Sequence, residues 1–183
     1  MNMKPIVKVP NPVLTAEASP IKSFDKKLEK LIADMKHTLL QCKNPKGVGL
    51  AAPQIGEPYK VFITRPREKD PIRVFVNPTI VSVDDTHTDG VPERDNKLEG
   101  CLSIPNIWGK VTRATGLTLR YQDEYGNSKE EQFTGFLATI IQHETDHVNG
   151  ILFTHRVLEQ KGTFYQSARD KNGKEVLEEI ELG

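Results

Sequence analysis

The chain has 183 residues, 25 of them Lys or Arg and 25 Asp or Glu, for a formal net charge of +0. That length suits one domain, residues 1–183, with a substantial core, and the charge balance argues against a broad nucleic-acid footprint. No apolar run approaches the length of a membrane span, no leader pattern opens the N-terminal stretch MNMKPIVKVPNP, and two cysteines make no disulfide framework. The expectation is a soluble, cytoplasmic monomer with no nucleic-acid site and no membrane contact.

The first 22 residues carry Pro5, Pro10, Pro12 and Pro20 and read as an extended arm. In SFDKKLEKLIADMKHTLLQ, the residues Phe24, Leu28, Leu31, Ile32, Met35, Leu39 and Leu40 recur at helical spacing. Ser23 is the expected N-cap, and Asp25 suits the first turn. Asn44-Pro45-Lys46-Gly47 marks the stop. VFIT at 61–64, IRVFV at 72–76 and TIVSV at 79–83 read as three short strands, and the polar run 84–98 as an exposed loop. LTLRYQ and KEEQF flank Glu124-Tyr125-Gly126-Asn127, a hairpin turn. A second helix fits Phe136 to Asn149, with Thr134 near its start and Gly150 past its end. The tail GKEVLEEIEL suits a strand or a short helix. Strands before and between helices, without βαβ alternation, indicate α+β: a central helix surrounded by mainly antiparallel strands, with one N-terminal helix.

The second helix ends in QHETDHVNG. Residues four apart share a helix face, so His143 and His147 can ligate one ion, with Glu144 beside them to meet a water. The same pattern also suits two solvated histidines at a helix end. A catalytic centre of this kind needs a third protein ligand. Phe153 stands where the extended zincin spacing requires histidine, so that ligand comes from elsewhere. Cys101, in EGCLSIP, is the candidate, although free cysteines are more often small buried hydrophobes. In GVGLAAPQIG the glycines permit close backbone approach, the phosphate-loop patterns are missing, and Gln54 offers an amide donor.

Together GVGLAAPQ, EGCLS and QHETDH, in that order, closely resemble the three signature motifs of the peptide deformylases. The resemblance implies Cys101, His143 and His147 as metal ligands and Glu144 as general acid and base. It implies an oxyanion hole made of Gln54 and the backbone N–H of Leu102. It implies one divalent metal ion, natively iron(II), with zinc, nickel or cobalt able to replace it. The substrate it implies is the N-formyl-methionine end of nascent chains near the ribosome exit, and the product is formate. Phe136, Thr139 and Ile140 share the face of His143 and, with Val48, match positions lining the family's methionine pocket. Thr139 departs from the usual aliphatic residue, and its hydroxyl is expected to bond back to a helix carbonyl. Gly49 and Gly100 would present backbone to an extended peptide. Arg113 matches a position near the pocket, paired with Glu99, and Asp146 is read either as a group supporting the ligands from behind or as an ion-pair partner at the helix end. Trp108 is read as a rim or core aromatic and Cys42 as a structural thiol. The 84–98 loop is longer than the family's simplest members require. The competing readings are a zinc metallopeptidase, which would need a downstream His or Glu ligand, and an inactive deformylase-like binding protein, which would have lost Glu144, Cys101 or Gln54.

Overall fold

The computed structural model describes residues 3–43, 46–95, 97–169 and 171–180. The stop signal at Asn44-Pro45 and the last residues of the tail lie outside the described residues. The first helix, α1, spans Lys26–Gln41 and starts two residues later than the apolar pattern suggests. Asp25 rather than Ser23 caps it: its carboxylate accepts from the N–H groups of Lys27 and Leu28 at 2.9 and 3.2 Å. An anion at the positive end of the helix satisfies two otherwise orphaned donors.

Five antiparallel strands form the larger sheet, in the order β1 (Gly49–Ala51), β2 (Val61–Thr64), β3 (Arg73–Val83), β6 (Gly116–Gln122) and β7 (Ser128–Thr134). The second sheet has the order β4 (Glu99–Cys101), β5 (Ile104–Gly109), β8 (Phe164–Arg169) and β9 (Glu175–Ile180), so the tail is a strand. The two runs at 72–76 and 79–83 are one strand, β3, not two. Pro78 cannot donate to the ladder, so the chain bulges there: Asn77 adopts φ +50° and the register shifts between Val76 and Thr79. The freed Asn77 amide exchanges two hydrogen bonds with the Ile21 backbone, at 2.7 and 2.9 Å, and moors the N-terminal arm.

Helix α2, Gly135–Val148, follows β7 without a break. Its apolar face (Ala138, Ile141, Val148) packs on Phe62, Phe75, Leu117, Leu119, Tyr121 and Phe133. The opposite face of the sheet, through Val61, Ile63, Val74 and Val76, covers Leu28, Ile32, Met35 and Leu39 of α1. Strand β2 is therefore buried on both faces, which is why VFIT reads as a continuous rather than an alternating apolar run. Gly150 at φ +75° closes α2: its N–H donates to the His147 carbonyl at 3.2 Å, and the Ile151 N–H donates to that of Asp146 at 2.9 Å. This pair of bonds is the glycine-terminated helix stop. A third helix, α3, spans Phe153–Glu159, and the sequence patterns did not reveal it. At seven residues it is too short to show a period, and Phe153 and Val157 alone bury its face, against Leu14, Ile104 and Phe164.

Candidate active site

Two pieces of the chain, the turn after β1 and the end of β4, converge on α2. The turn Ala52–Ile55 follows β1, and the Val7 N–H ties it down by donating to the Gln54 carbonyl at 2.8 Å. The Gln54 side chain is buried, and its Oε1 accepts from the Ala51 N–H at 2.9 Å. That bond settles which way the amide faces. Its Nε2 stands 3.4 Å from both the Cys101 sulfur and the Ser103 hydroxyl. Cys101 ends β4, where the pairing with β5 shifts register and Leu102 and Ser103 form the turn. The Ser103 N–H also points at the Cys101 sulfur, at 3.4 Å.

His143 and His147 lie on one face of α2, their rings 4.8 Å apart and nearly perpendicular. The ligand atoms of Cys101, His143 and His147 all lie within 4.8 Å of one another, and Cys101 Sγ is 3.2 Å from His147 Nε2. One sulfur and two imidazole nitrogens at this separation are a donor set that could hold a transition-metal ion. Burial opposes ionisation of the Cys101 thiol, but the facing histidines outweigh it and bring the thiol down to about 5. A thiolate is the form that binds a cation.

Glu144 is 3% exposed, and its Oε2 has no hydrogen-bond partner among the described residues. Burial pushes it up to about 7, against the pull of the two histidines. A carboxylate buried without a partner is costly; next to three metal-ligand atoms it is a group awaiting an exchangeable proton. Gly49 of β1 backs onto it so closely that a Cβ there would collide with the carboxylate.

Behind the ligands runs a chain of buried charge. Glu99 Oε1 is 2.6 Å from His143 Nδ1, and Arg113 grips the same carboxylate with two bonds of 2.7 and 2.8 Å. The paired Arg113 holds Glu99 well below the usual carboxylate range despite its burial, so the Nδ1 of His143 must carry the proton and donate it. That leaves Nε2 facing forward, as a metal ligand needs. Arg113 also reaches Asp146 at 3.0 Å, and Arg156 of α3 closes on Asp146 at 2.7 and 3.1 Å. Of the two readings of Asp146, the ion-pair partner is the one these contacts show.

The cleft in front of the ligands is lined by Val48, Gly49, Gly100, Leu102, Phe136, Thr139 and Ile140, together with Gln54 and Glu144. Arg113, grouped with the pocket on sequence grounds, does not line it; it is 5% exposed and spent on Glu99 and Asp146. The Thr139 hydroxyl does not bond back to its helix: it is buried without a partner among the described residues. Val91 and Arg94, from the 84–98 loop, also line the cleft, and so does Trp108, whose indole N–H donates to Ser167 at 2.9 Å. Sequence patterns single out neither Val91 nor Arg94, because a polar loop has no period to say which of its side chains turns inward. Arg156 also went unnoticed, on a helix too short to register. Cys42 ends α1 half-buried, its thiol donating to the Thr38 carbonyl at 3.3 Å, as a structural thiol should.

Comparison with known proteins gives the same answer. The family model described as polypeptide deformylase matches residues 3–163. The chain belongs to the peptide deformylase family. It is 35% identical to the peptide deformylase of Brucella suis, over 97% of this chain and 100% of that protein. The enzyme of Rhizobium meliloti is 37% identical over 84% of each chain. The crystal structure of the Thermotoga maritima peptide deformylase superposes with a TM-score of 0.75 at 33% identity, covering 85% of this chain and 98% of that one. A class I type b deformylase from Acinetobacter baumannii, crystallised with Met-Ala-Ser, gives 0.74 at 34% identity over 85% of this chain and 98% of that one. This deformylase is a hydrolase that removes the N-formyl group from nascent polypeptides, and it carries a Cys-His-His metal-binding site. No helix among the described residues is long and apolar enough to cross a membrane.

Proposed function

We propose that Cys101, His143 and His147 hold one divalent ion, iron(II) in the cell and zinc, nickel or cobalt as substitutes, and that Glu144 is the proton carrier for deformylation. When bound, such an ion supplies Lewis acidity to the attacking water. Glu144 takes a proton from that water as its oxygen adds to the formyl carbon. As the carbon–nitrogen bond breaks, Glu144 returns the proton to the leaving amine, so formate and a free methionine amine result. Gln54 Nε2 and the Leu102 N–H donate to the former carbonyl oxygen, stabilising the charge it gains in the transition state. Phe136, Thr139, Ile140 and Val48 surround the methionine side chain, and the backbone at Gly49 and Gly100 pairs with the extended peptide. The Met-Ala-Ser peptide in the Acinetobacter baumannii relative supports this substrate class.

One observation carries the assignment of the base: a buried carboxylate with an unpartnered oxygen beside three convergent ligands. Cys101 as third ligand separates this site from the zinc peptidases, and the presence of Glu144, Cys101 and Gln54 together speaks against an inactive relative. In this reading the enzyme is a cytoplasmic monomer acting on chains as they leave the ribosome. The test is formate release from formyl-Met-Ala-Ser by anaerobically purified protein, beside Glu144→Ala, with metal counted in both. Metal-dependent release that vanishes in a fully metallated variant supports the assignment. Undiminished release from that variant would remove Glu144 from the reaction.

A further inference from the structure

Among the described residues, Arg94 is the one cation lining the cleft that forms no ion pair. It enters the cleft from the 84–98 loop, alongside His143, Glu144 and Gln54. Two contacts fix it. Its guanidinium lies 5.1 Å from the Trp108 ring centroid, and its Nη1 donates to the Leu98 carbonyl at 3.0 Å. Stacking on an indole leaves the edge of a guanidinium free to bond, and the planar fork keeps its geometry while it does so.

Other arginines of the described residues do find carboxylates. Arg73, Arg113, Arg120 and Arg156 each hold a carboxylate. Lys46, the other cation lining the cleft, pairs with Glu68 at 3.1 Å. Arg94 forms no ion pair among the described residues. The acidic group that acts on it is Glu99, whose oxygens are already taken by Arg113 and His143. Burial accordingly weakens its hold on its proton, as expected of a guanidinium partly withdrawn from water and left without an anion. A cation held in this way by an aromatic and a carbonyl is preorganised for an anionic ligand, since the ordering cost is met before binding.

We propose that Arg94 is a specificity residue: it receives a carboxylate of the peptide downstream of the formyl-methionine, so that the enzyme favours acidic nascent chains over basic ones. This rests on the deformylase reading of the same cleft. The carboxylate has two possible sources, an Asp or Glu side chain at the second or third residue, or the free C-terminus of a short peptide.

Amidated and free-acid peptides separate the two. The set is formyl-Met-Ala-Ser, formyl-Met-Glu-Ser, formyl-Met-Ala-Glu, formyl-Met-Lys-Ser and formyl-Met-Ala-Lys, each as the amide, and formyl-Met-Ala-Ser as the free acid. Formate release gives kcat/KM for each with wild type, Arg94→Gln and Arg94→Glu, at low and high salt. The expected result is a glutamate-over-lysine ratio of about fivefold at one of the two positions in wild type, near the ceiling for a solvent-reachable ion pair. The ratio falls towards one in Arg94→Gln, inverts in Arg94→Glu and shrinks as salt rises. A preference for the free acid over the amide, without a glutamate preference, assigns Arg94 to terminal carboxylates of short peptides instead of side chains. Equal rates on all peptides in wild type, or a glutamate preference that survives in Arg94→Glu, would overturn the proposal while leaving deformylation intact. No formate from any peptide with metallated wild type would overturn the reading of the cleft itself.

Discussion

Glu99 accepts a 2.6 Å hydrogen bond from His143 Nδ1, and the same carboxylate is clamped by the guanidinium of Arg113. The bond orients the imidazole and fixes its tautomer, while the clamp keeps the carboxylate charged inside the protein. Glu99→Gln keeps the shape but loses the charge. The expected outcome is metal affinity lower by about 10–100-fold, the range for partners of this type. Competition with a chelator, followed by metal analysis, measures it. Affinity equal to wild type would mean that His143 is oriented by α2 alone.

The same pair governs acid stability. Arg113 depresses the Glu99 pKa in the folded protein below its ordinary 4.5. A depressed carboxylate stabilises the fold fully above its unfolded value and loses that contribution as pH falls towards the lowered folded value. Urea midpoints measured in excess chelator, so that metal release does not enter, should therefore fall with pH below about 4.5 in wild type. The Glu99→Gln curve should lack that component, lie below wild type at neutral pH and converge with it in acid. Parallel curves would show that Glu99 titrates normally.

Gly49 faces the Glu144 carboxylate with no room for a side chain. Gly49→Ala should move Glu144 rather than unfold the protein, because β1 keeps its pairing with β2, where Gly49 stands opposite Thr64. A displacement of the order of 1 Å at a reacting group costs about 100-fold in rate. Formate release should fall by about that factor, with the circular dichroism spectrum and bound metal unchanged. Full activity would show that Glu144 has another productive position.

Asp146 and Arg156 form one ion pair but differ in exposure, with side chains 11% and 32% exposed. Asp146→Ala leaves Arg113 buried with one partner fewer, and breaking a buried pair costs about 3–5 kcal/mol. Arg156→Ala leaves Asp146 still bonded to Arg113 and should cost no more than about 1 kcal/mol. Denaturant unfolding of the two variants gives the comparison. Equal losses would show that Arg156 anchors α3 through the pair.

The histidine pair was legible from local geometry, while the roles of Cys101 and Gln54 and the reaction itself were legible through the resemblance of three motifs to the deformylases. Two histidines four apart share a helix face whatever surrounds them, and EGCLS and GVGLAAPQ carry their residues on short, self-contained turns. The hairpin at 116–134 and the second helix were legible for the same reason: period and turn residues act over a few positions. The merging of two strands into β3 was not, because Pro78 reads as a break until a bulge at Asn77 is seen to absorb it. Arg113 was placed near the pocket and stands behind it, since a motif position gives proximity and not the side of the carboxylate on which a guanidinium settles.

By itself, the sequence pointed to the α+β class, to the three motifs and, through their resemblance to the deformylases, to Cys101, His143, His147, Glu144 and Gln54. Only the tertiary structure decided their second partners. Glu99 meets His143, Arg156 meets Asp146, and Arg94 turns from a polar loop onto Trp108, through contacts between residues distant along the chain. Such contacts follow from how sheets and helices stack, and no spacing rule within one segment encodes them. A loop without a hydrophobic period can present any of its side chains, and packing against the rest of the molecule selects which one.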